Sequence, residues 1–374
     1  MIEFENIKQL ISKYTDEVVI EHKIDERYTC YGERDIRYFC IVTLYSGKKI
    51  FFKICSNIFT TLERVEAWAN LAYQYKNQVG IYTPLFLKTK DGLGYGTIIE
   101  INDKVFVAWA EEFAMYTTID DKENELENLS TNIKEGFLRQ ISKDEFIYHV
   151  GEVVGKVCNY SKKNNSKMNW TTYDLFHKFC DYDTYGKYYE FALYHYNYIK
   201  ESNDINISLW TNIWNIYSQK RAKLEIGYDK LPSGVVQGDL LTNNILIDEE
   251  NTFAGIIDFN TSGNGVFIFF AMKEAIFHSF EFIEGGEIND ELCIKGERRL
   301  KTFFKGFMKH YEIQKSEKES INLLYNIIRP FCVYKNRYTR ELLGEKQFDI
   351  VNKRMEWMYY ELTRNDIAGI ILNS

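Results

Sequence analysis

Val235-Val236-Gln237-Gly238-Asp239-Leu240-Leu241-Thr242-Asn243-Asn244-Ile245-Leu246-Ile247-Asp248, followed by Ile256-Ile257-Asp258-Phe259, sets polar residues between short apolar runs. Val235 and Val236 form a short apolar run, and Gly238-Asp239 turns the chain. Ile245 to Ile247 resumes a strand, Asp248 to Asn251 makes a polar hairpin turn, and Ala254 to Ile257 returns. The apolar arms are expected to pack. Asp239, Asn244 and Asp258 then fall at strand ends or in the loop, three oxygen-bearing side chains at one rim.

Phosphoryl transfer needs such a set. One carboxylate orients the attacking hydroxyl and accepts its proton, and an amide oxygen and a second carboxylate hold Mg²⁺ against nucleotide phosphates. Mg²⁺ takes hard oxygen ligands, few of them from protein. Asp239 fits the base, and Asn244 and Asp258 fit the metal ligands.

The pattern Gly-Asp-x-x-x-x-Asn, with Ile-Asp-Phe one hairpin later, resembles the aminoglycoside phosphotransferase and choline kinase superfamily. Those small-molecule kinases have a protein-kinase-like fold. The resemblance implies ATP or GTP as donor, Mg²⁺, and a hydroxyl of a small, cationic acceptor such as an aminoglycoside. The family usually carries His before Gly-Asp; here it is Gln237, at a position expected to brace the loop.

Working outward, the 374 residues suggest two lobes. The formal net charge of −8 gives no nucleic-acid footprint and is compatible with a cationic substrate. The seven scattered cysteines contain no CxxC and read as reduced thiols of a cytoplasmic protein. The six histidines show no metal-ligand spacing. The N-terminus lacks signal-peptide features, and the longest apolar run, Val266 to Met272, is too short to span a bilayer.

Before residue 112 the chain alternates like an antiparallel sheet. Strands are expected at 17–22, 28–31, 37–45, 48–55, 85–88, 96–100 and 104–110, with turns at Ser46-Gly47 and at Asp91 to Gly96. The turn Gly32-Glu33-Arg34-Asp35 stands where kinase-like folds carry a glycine-rich loop, with a single glycine. Lys53 shares a strand face with Phe51 and, by the resemblance, occupies the slot of the lysine that grips the α and β phosphates. A helix from about Thr60 to Gln78 should carry its carboxylate partner. Glu66, beside the apolar stripe of Val65, Trp68, Leu71, Ala72 and Tyr75, is preferred to Glu63. Glu111-Glu112-Phe113-Ala114 resembles the inter-lobe connector, so backbone groups of Glu112 and Ala114 are expected at the adenine edge.

Residues 115–140 read as a polar connector, and Lys143 to Lys162 as a helix whose Gly151 and Gly155 mark tight packing. Residues 170–223 read as helical and aromatic-rich, core in character, with an aromatic cage for a cationic amine as the sharper alternative. After Asp258, Asn260 and Ser262 are candidate substrate contacts, ahead of a helix from Val266 to Ile283. Glu284 to Glu291 reads as a solvated loop or an acidic rim. The expectation is therefore an α+β, bilobal, protein-kinase-like fold. Residues 1–112 form a small antiparallel-sheet lobe and residues 113–374 a larger, mainly helical catalytic lobe. The alternatives are a choline, ethanolamine or homoserine kinase, and a nucleotide-binding pseudokinase acting as a regulatory module. Neither nucleic acid nor membrane is an expected partner.

Overall fold

Strand β2 (Ile36–Leu44) buries every second residue, Ile36, Tyr38, Cys40, Val42 and Leu44, as a strand with one covered face must. The cover is the N-terminal helix α1 (Phe4–Ser12), whose Ile7, Leu10 and Ile11 join the same core. The computed structural model describes residues 4–28, 32–127, 131–183, 204–284 and 290–373, with positions 192, 193, 199 and 288. Around β2 lie β1 (Val19–Tyr28), β3 (Lys49–Ser56), β4 (Gly96–Ile101) and β5 (Lys104–Glu112), in the order β1-β2-β3-β5-β4, with every pairing antiparallel. The opposite face, carrying Arg37, Phe39, Phe51 and Lys53, turns away from α1.

The antiparallel sheet is as expected, with five strands in place of the seven segments read; its hairpins are not all where the turn residues suggested. Residues 85–88 form no strand, only a bridge between Phe86 and Glu111. Gly92 and Gly94 lie in a loop, held where Thr89 Oγ1 donates to Asp91 Oδ1 at 2.6 Å, and Gly96 begins β4. The tight hairpin is Asn102-Asp103, between β4 and β5. Both residues have positive φ, +50° and +61°, which Asn and Asp tolerate and a type I′ turn requires.

Helix α2 (Leu62–Gln74) starts at Thr61, whose hydroxyl accepts from Arg64 N at 3.2 Å. It buries Val65, Trp68, Ala69, Leu71 and Ala72, unwinds through one wide turn and stops at Gly80, φ +75°. Past β5, the chain makes the short strand β6 (Thr117–Thr118). Helices α3 (Ile119–Leu126) and α4 (Thr131–Ile141) follow in place of the irregular connector read from their polarity. Ile119, Leu126, Phe137 and Ile141 bury one side, and Thr118 caps α3 through Asp121 N.

In the larger lobe, α5 (Asp144–Lys163) presses Gly151 and Gly155 onto the backbone of Phe303 and Phe307. A Cβ at either glycine would overlap a carbonyl oxygen, so these glycines serve packing, as expected. Residues 170–183 are irregular, and the next described helix is α6 (Ile207–Tyr228). Tyr185, Tyr188, Tyr189, Phe191, Tyr194, Tyr196 and Tyr198 of the aromatic set lie outside the described residues. Strands β7 (Ser233–Val236), β8 (Ile245–Ile247), β9 (Phe253–Ile256) and β10 (Gly263–Val266) carry the motif. β7 pairs with β10, and β8 lies between β6 and β9. Helix α7 (Phe267–Ile276) then enters the core, and α8 (Asp290–Met308), α9 (Lys315–Ile328), α10 (Val333–Gly344), α11 (Phe348–Thr363) and α12 (Ile367–Leu372) complete the lobe.

Glu284 corrects the reading of 284–291 as a rim or solvated loop. It is buried and bound by Arg329 at 2.8 Å and Lys335 at 2.9 Å, because two buried cations require a carboxylate. Among the described residues, no helix is long and apolar enough to cross a membrane.

Candidate active site

Gly238 lets the motif turn. Its φ is +91°, and a Cβ there would press on Thr172 Oγ1 and come within 2.7 Å of the Thr261 carbonyl oxygen. Asp239 follows, half-buried. Asn244 closes the loop: its Nδ2 donates to the Asp239 carbonyl at 2.9 Å and, less closely, to Asp239 Oδ2 at 3.4 Å. That use of Nδ2 leaves the amide oxygen Oδ1 as the group available to a metal.

Asp258, the next residue after the end of β9 but one, has φ +61°, a left-handed conformation rare for a residue with a side chain. Its Oδ1 meets Lys53 Nζ at 3.1 Å, and its Oδ2 accepts from Asn260 Nδ2 at 3.2 Å. Lys53 comes from β3 and is 5% exposed, so the contact bridges the two lobes across 205 positions of sequence. Burial raises the Asp258 pKa, but the nearby Lys53 and Arg37 charges outweigh it, and the group sits below its ordinary value. It is therefore ionised at neutral pH, as a metal ligand must be.

Lys53 has a second carboxylate, Glu111 Oε1 at 3.2 Å, itself fixed by Trp109 Nε1 at 2.7 Å. This corrects the pairing of Lys53 with Glu66. The Glu66 carboxylate instead accepts from Tyr95 N at 2.5 Å, beside Gly94, and Glu63 Oε1 accepts from Asn169 Nδ2 at 2.9 Å. The reason is register. Phe51 stands opposite Glu111 and Lys53 opposite Trp109, so Glu111 emerges on the Lys53 face one diagonal away.

Gln237 braces the loop. Its Oε1 accepts from Asp239 N at 2.7 Å, and its Nε2 donates to the Asp258 carbonyl at 2.6 Å and to that of Ile257 at 3.2 Å. One buried amide thus ties the Asp239 loop to the Asp258 segment. Ser262, expected at the substrate, is fully buried; its hydroxyl donates to the Gln237 carbonyl at 3.2 Å. Asn260 stays at the rim through its bond to Asp258. The Glu112 side chain turns away to Lys76 and to Leu85 N, while Ala114 follows in the connector between β5 and β6.

Sequence reading missed a second support. His278, just beyond α7, is buried, with Nε2 at 2.7 Å from the Leu240 carbonyl, so Nε2–H is the donor. Burial, aided by Arg299 and Lys273, pushes its pKa down to about 3. Lys273 of α7 donates to the Gly238 carbonyl. The loop around Asp239 is therefore held at the carbonyls on either side of it, those of Gly238 and Leu240. Nothing local in the sequence connects these side chains, 35 and 38 positions away, to that loop.

Among the described residues, no three His, Cys, Asp or Glu side chains converge to hold a metal unaided. Asn244 and Asp258 supply an amide oxygen and an ionised carboxylate beside Lys53. That donor set fits Mg²⁺ if phosphate and water complete the shell, and fits a self-sufficient protein cage poorly.

Residues 150–269 match the family model described as the phosphotransferase enzyme family. No curated protein matches the chain in sequence. Among solved structures, the chain is similar to an amicoumacin kinase in complex with AMP-PNP, Ca²⁺ and Ami: TM-score 0.59, 12% identity, covering 98% of this chain and 96% of that one. It is also similar to a microcompartment-associated aminopropanol kinase, with TM-score 0.54, 12% identity and 99% of each chain covered. A third is an aminoglycoside phosphotransferase from Alicyclobacillus acidocaldarius, with TM-score 0.52, 12% identity, and 94% and 93% covered. The chain resembles the aminoglycoside phosphotransferase and choline kinase superfamily both in its motif and in its protein-kinase-like fold.

Proposed function

We propose that this protein is an Mg²⁺-dependent small-molecule kinase that transfers the γ-phosphate of ATP or GTP to a hydroxyl of a small acceptor. The observation that carries this reading is the meeting of Lys53 with Asp258, next to an Asp239–Asn244 loop braced by Gln237. Lys53 steadies the donor's phosphates, Glu111 steadies Lys53, and Asn244 and Asp258 hold the metal. Bound Mg²⁺ would supply charge neutralisation at the phosphates. The backbone of Glu112 and Ala114 meets the base.

Asp239 orients the acceptor hydroxyl and takes its proton as the oxygen attacks phosphorus. The bond from phosphorus to the bridging oxygen breaks, leaving a nucleoside diphosphate and a phosphate ester. Asn260, bonded to Asp258, stands where the acceptor would approach. The loop carbonyls fixed by Lys273 and His278 keep the Asp239 backbone in place during this transfer.

Acceptors with both a hydroxyl and an amine are the first to try. The names of the similar structures include aminopropanol and aminoglycoside enzymes, and the chain's net charge of −8 favours a cation at long range. Choline, ethanolamine and homoserine are the metabolite alternatives. The brace that Gln237 provides supports an enzyme over a nucleotide-binding regulatory module, for which loop geometry at Asp239 would be dispensable.

The test is incubation with Mg²⁺ and γ-labelled ATP or GTP across aminoglycosides, macrolides, amino alcohols, choline, ethanolamine and homoserine, with Asp239→Asn as control. Transfer to one acceptor class, abolished in the variant while nucleotide binding persists, is expected. Failure to bind any Mg²⁺–nucleotide would overturn the reading.

A further inference from the structure

The turn at Gly32 to Asp35, expected where a glycine-rich loop would shield the donor's phosphates, carries a single glycine. Gly32–Arg34 forms a single tight helical turn, and the Asp35 amide is spent on the Gly32 carbonyl at 3.0 Å. The Arg34 carbonyl is itself engaged by Tyr182 Oη at 3.2 Å. A glycine-rich loop would hold anionic oxygens with free N–H groups. Next to this turn stands a side chain with donors of the same kind.

Arg37 begins β2 immediately after this turn. In the β2–β3 ladder, Arg37 lies opposite Cys55 and Phe39 opposite Lys53, so Arg37 and Lys53 project from the same face, one diagonal apart. Asp35, with a fully buried side chain, pins the guanidinium from behind: Nε lies 3.0 Å from Oδ1 and 3.2 Å from Oδ2, and Nη2 lies 2.7 Å from Oδ2. Asn57 Nδ2 holds the same carboxylate at 2.7 Å, while Asn57 Oδ1 accepts from Thr60 N ahead of α2. The Arg37 side chain is 16% exposed, and its Nη1 has no hydrogen-bond partner among the described residues. Its charge reaches the site already described, since Arg37 is among the cations that lower the Asp258 pKa.

We propose that Arg37 is a second phosphate-binding cation for the donor nucleotide, held by Asp35 so that Nη1 faces the phosphates beside Lys53. This rests on the kinase reading and deepens it. Lys53 already faces two carboxylates, Glu111 and Asp258, so its own charge is largely answered before a nucleotide arrives. A triphosphate with one Mg²⁺ remains anionic, and one further guanidinium answers it. Arginine suits the role because its fork can bind a carboxylate on one edge and still present N–H groups on another, which a lysine cannot do.

The test is titration calorimetry of the full chain with AMP-PNP, ADP, AMP and adenosine, in the presence of Mg²⁺, for wild type, Arg37→Gln, Arg37→Lys and the double variant Asp35→Asn/Arg37→Gln. The double variant removes the buried carboxylate that the single Gln change would strand. Loss of a charged hydrogen bond predicts roughly ten- to hundredfold weaker AMP-PNP binding in Arg37→Gln and in the double variant, partial recovery in Arg37→Lys, and adenosine binding within about twofold of wild type. Equal loss for adenosine and AMP-PNP would make Arg37 a structural clamp and overturn the proposal, as would unchanged AMP-PNP binding in the double variant. A wild type that binds none of the four ligands would overturn the kinase reading, and this proposal with it.

Discussion

His278→Gln tests how the loop carrying Asp239 is held. In the wild type the imidazole is buried, donates from Nε2 to the Leu240 carbonyl, and lies near the charges of Arg299 and Lys273. Burial, more than those charges, lowers its pKa from 6.5 to about 3. The sign follows from which state takes the proton. Between those two values the unfolded chain binds a proton that the folded protein refuses. The contribution is fully present above about pH 6.5 and is lost as pH falls toward 3. At pH 5 the loss amounts to about 2 kcal/mol relative to pH 7.5, from about 1.4 kcal/mol per pH unit across the part of the window crossed. Glutamine can donate to the same carbonyl and does not titrate. Urea unfolding at pH 7.5 and pH 5.0 should therefore show the variant gaining about 2 kcal/mol on the wild type as pH falls. Groups common to both proteins cancel in this difference. A difference between the two proteins that stays constant with pH would refute the buried neutral histidine and the donor role assigned to it.

Two further perturbations address the same site. Glu111→Gln should weaken AMP-PNP binding by about tenfold, because Lys53 loses an ionic partner it meets at 3.2 Å, while Glu66→Gln should leave it within about twofold. Titration calorimetry decides, and the reverse order would restore Glu66 as the functional partner. Gly238→Ala should cost about 2–4 kcal/mol in urea unfolding, combining a left-handed φ with overlap at Thr172 and at the Thr261 carbonyl. Adding Thr172→Ala relieves only the side-chain contact. Full recovery in the double variant would show that the backbone conformation contributes nothing.

Lys53 and Glu111 illustrate how far the chain could be read unaided. Lys53 was legible because a lone lysine in the apolar run Ile50 to Cys55 is costly unless it has a purpose. For its partner, local sequence points to the following helix, where a carboxylate borders an apolar stripe. The partner is on β5 instead. That choice depends on the register between two strands more than fifty residues apart, and sequence alternation gives the face of each strand but not their alignment. Ser262 failed for a related cause: a small polar residue after a catalytic motif suits a substrate contact or a buried brace equally, and packing against Gln237 selects the brace.

Local sequence accounts for the chemistry-bearing loop. Gly238, Asp239, Asn244 and Asp258 are close along the chain, and the turn, hairpin and apolar arms between them follow from local conformational preference and side-chain period. It also determined the division into an antiparallel sheet and a helical remainder, and the close helix packing at Gly151 and Gly155. Tertiary structure alone decided what surrounds the loop. It brought Lys53 across 205 positions to Asp258 and gave Lys53 the carboxylate of Glu111. It set Arg37 beside them on the cleft face, placed His278 and Lys273 beneath the loop, and buried Glu284 between Arg329 and Lys335. The physical reason is that a buried charge or donor needs a partner, while local sequence specifies only the need. Which distant group meets it is fixed by strand register and by the packing of elements that the chain brings together only when it folds.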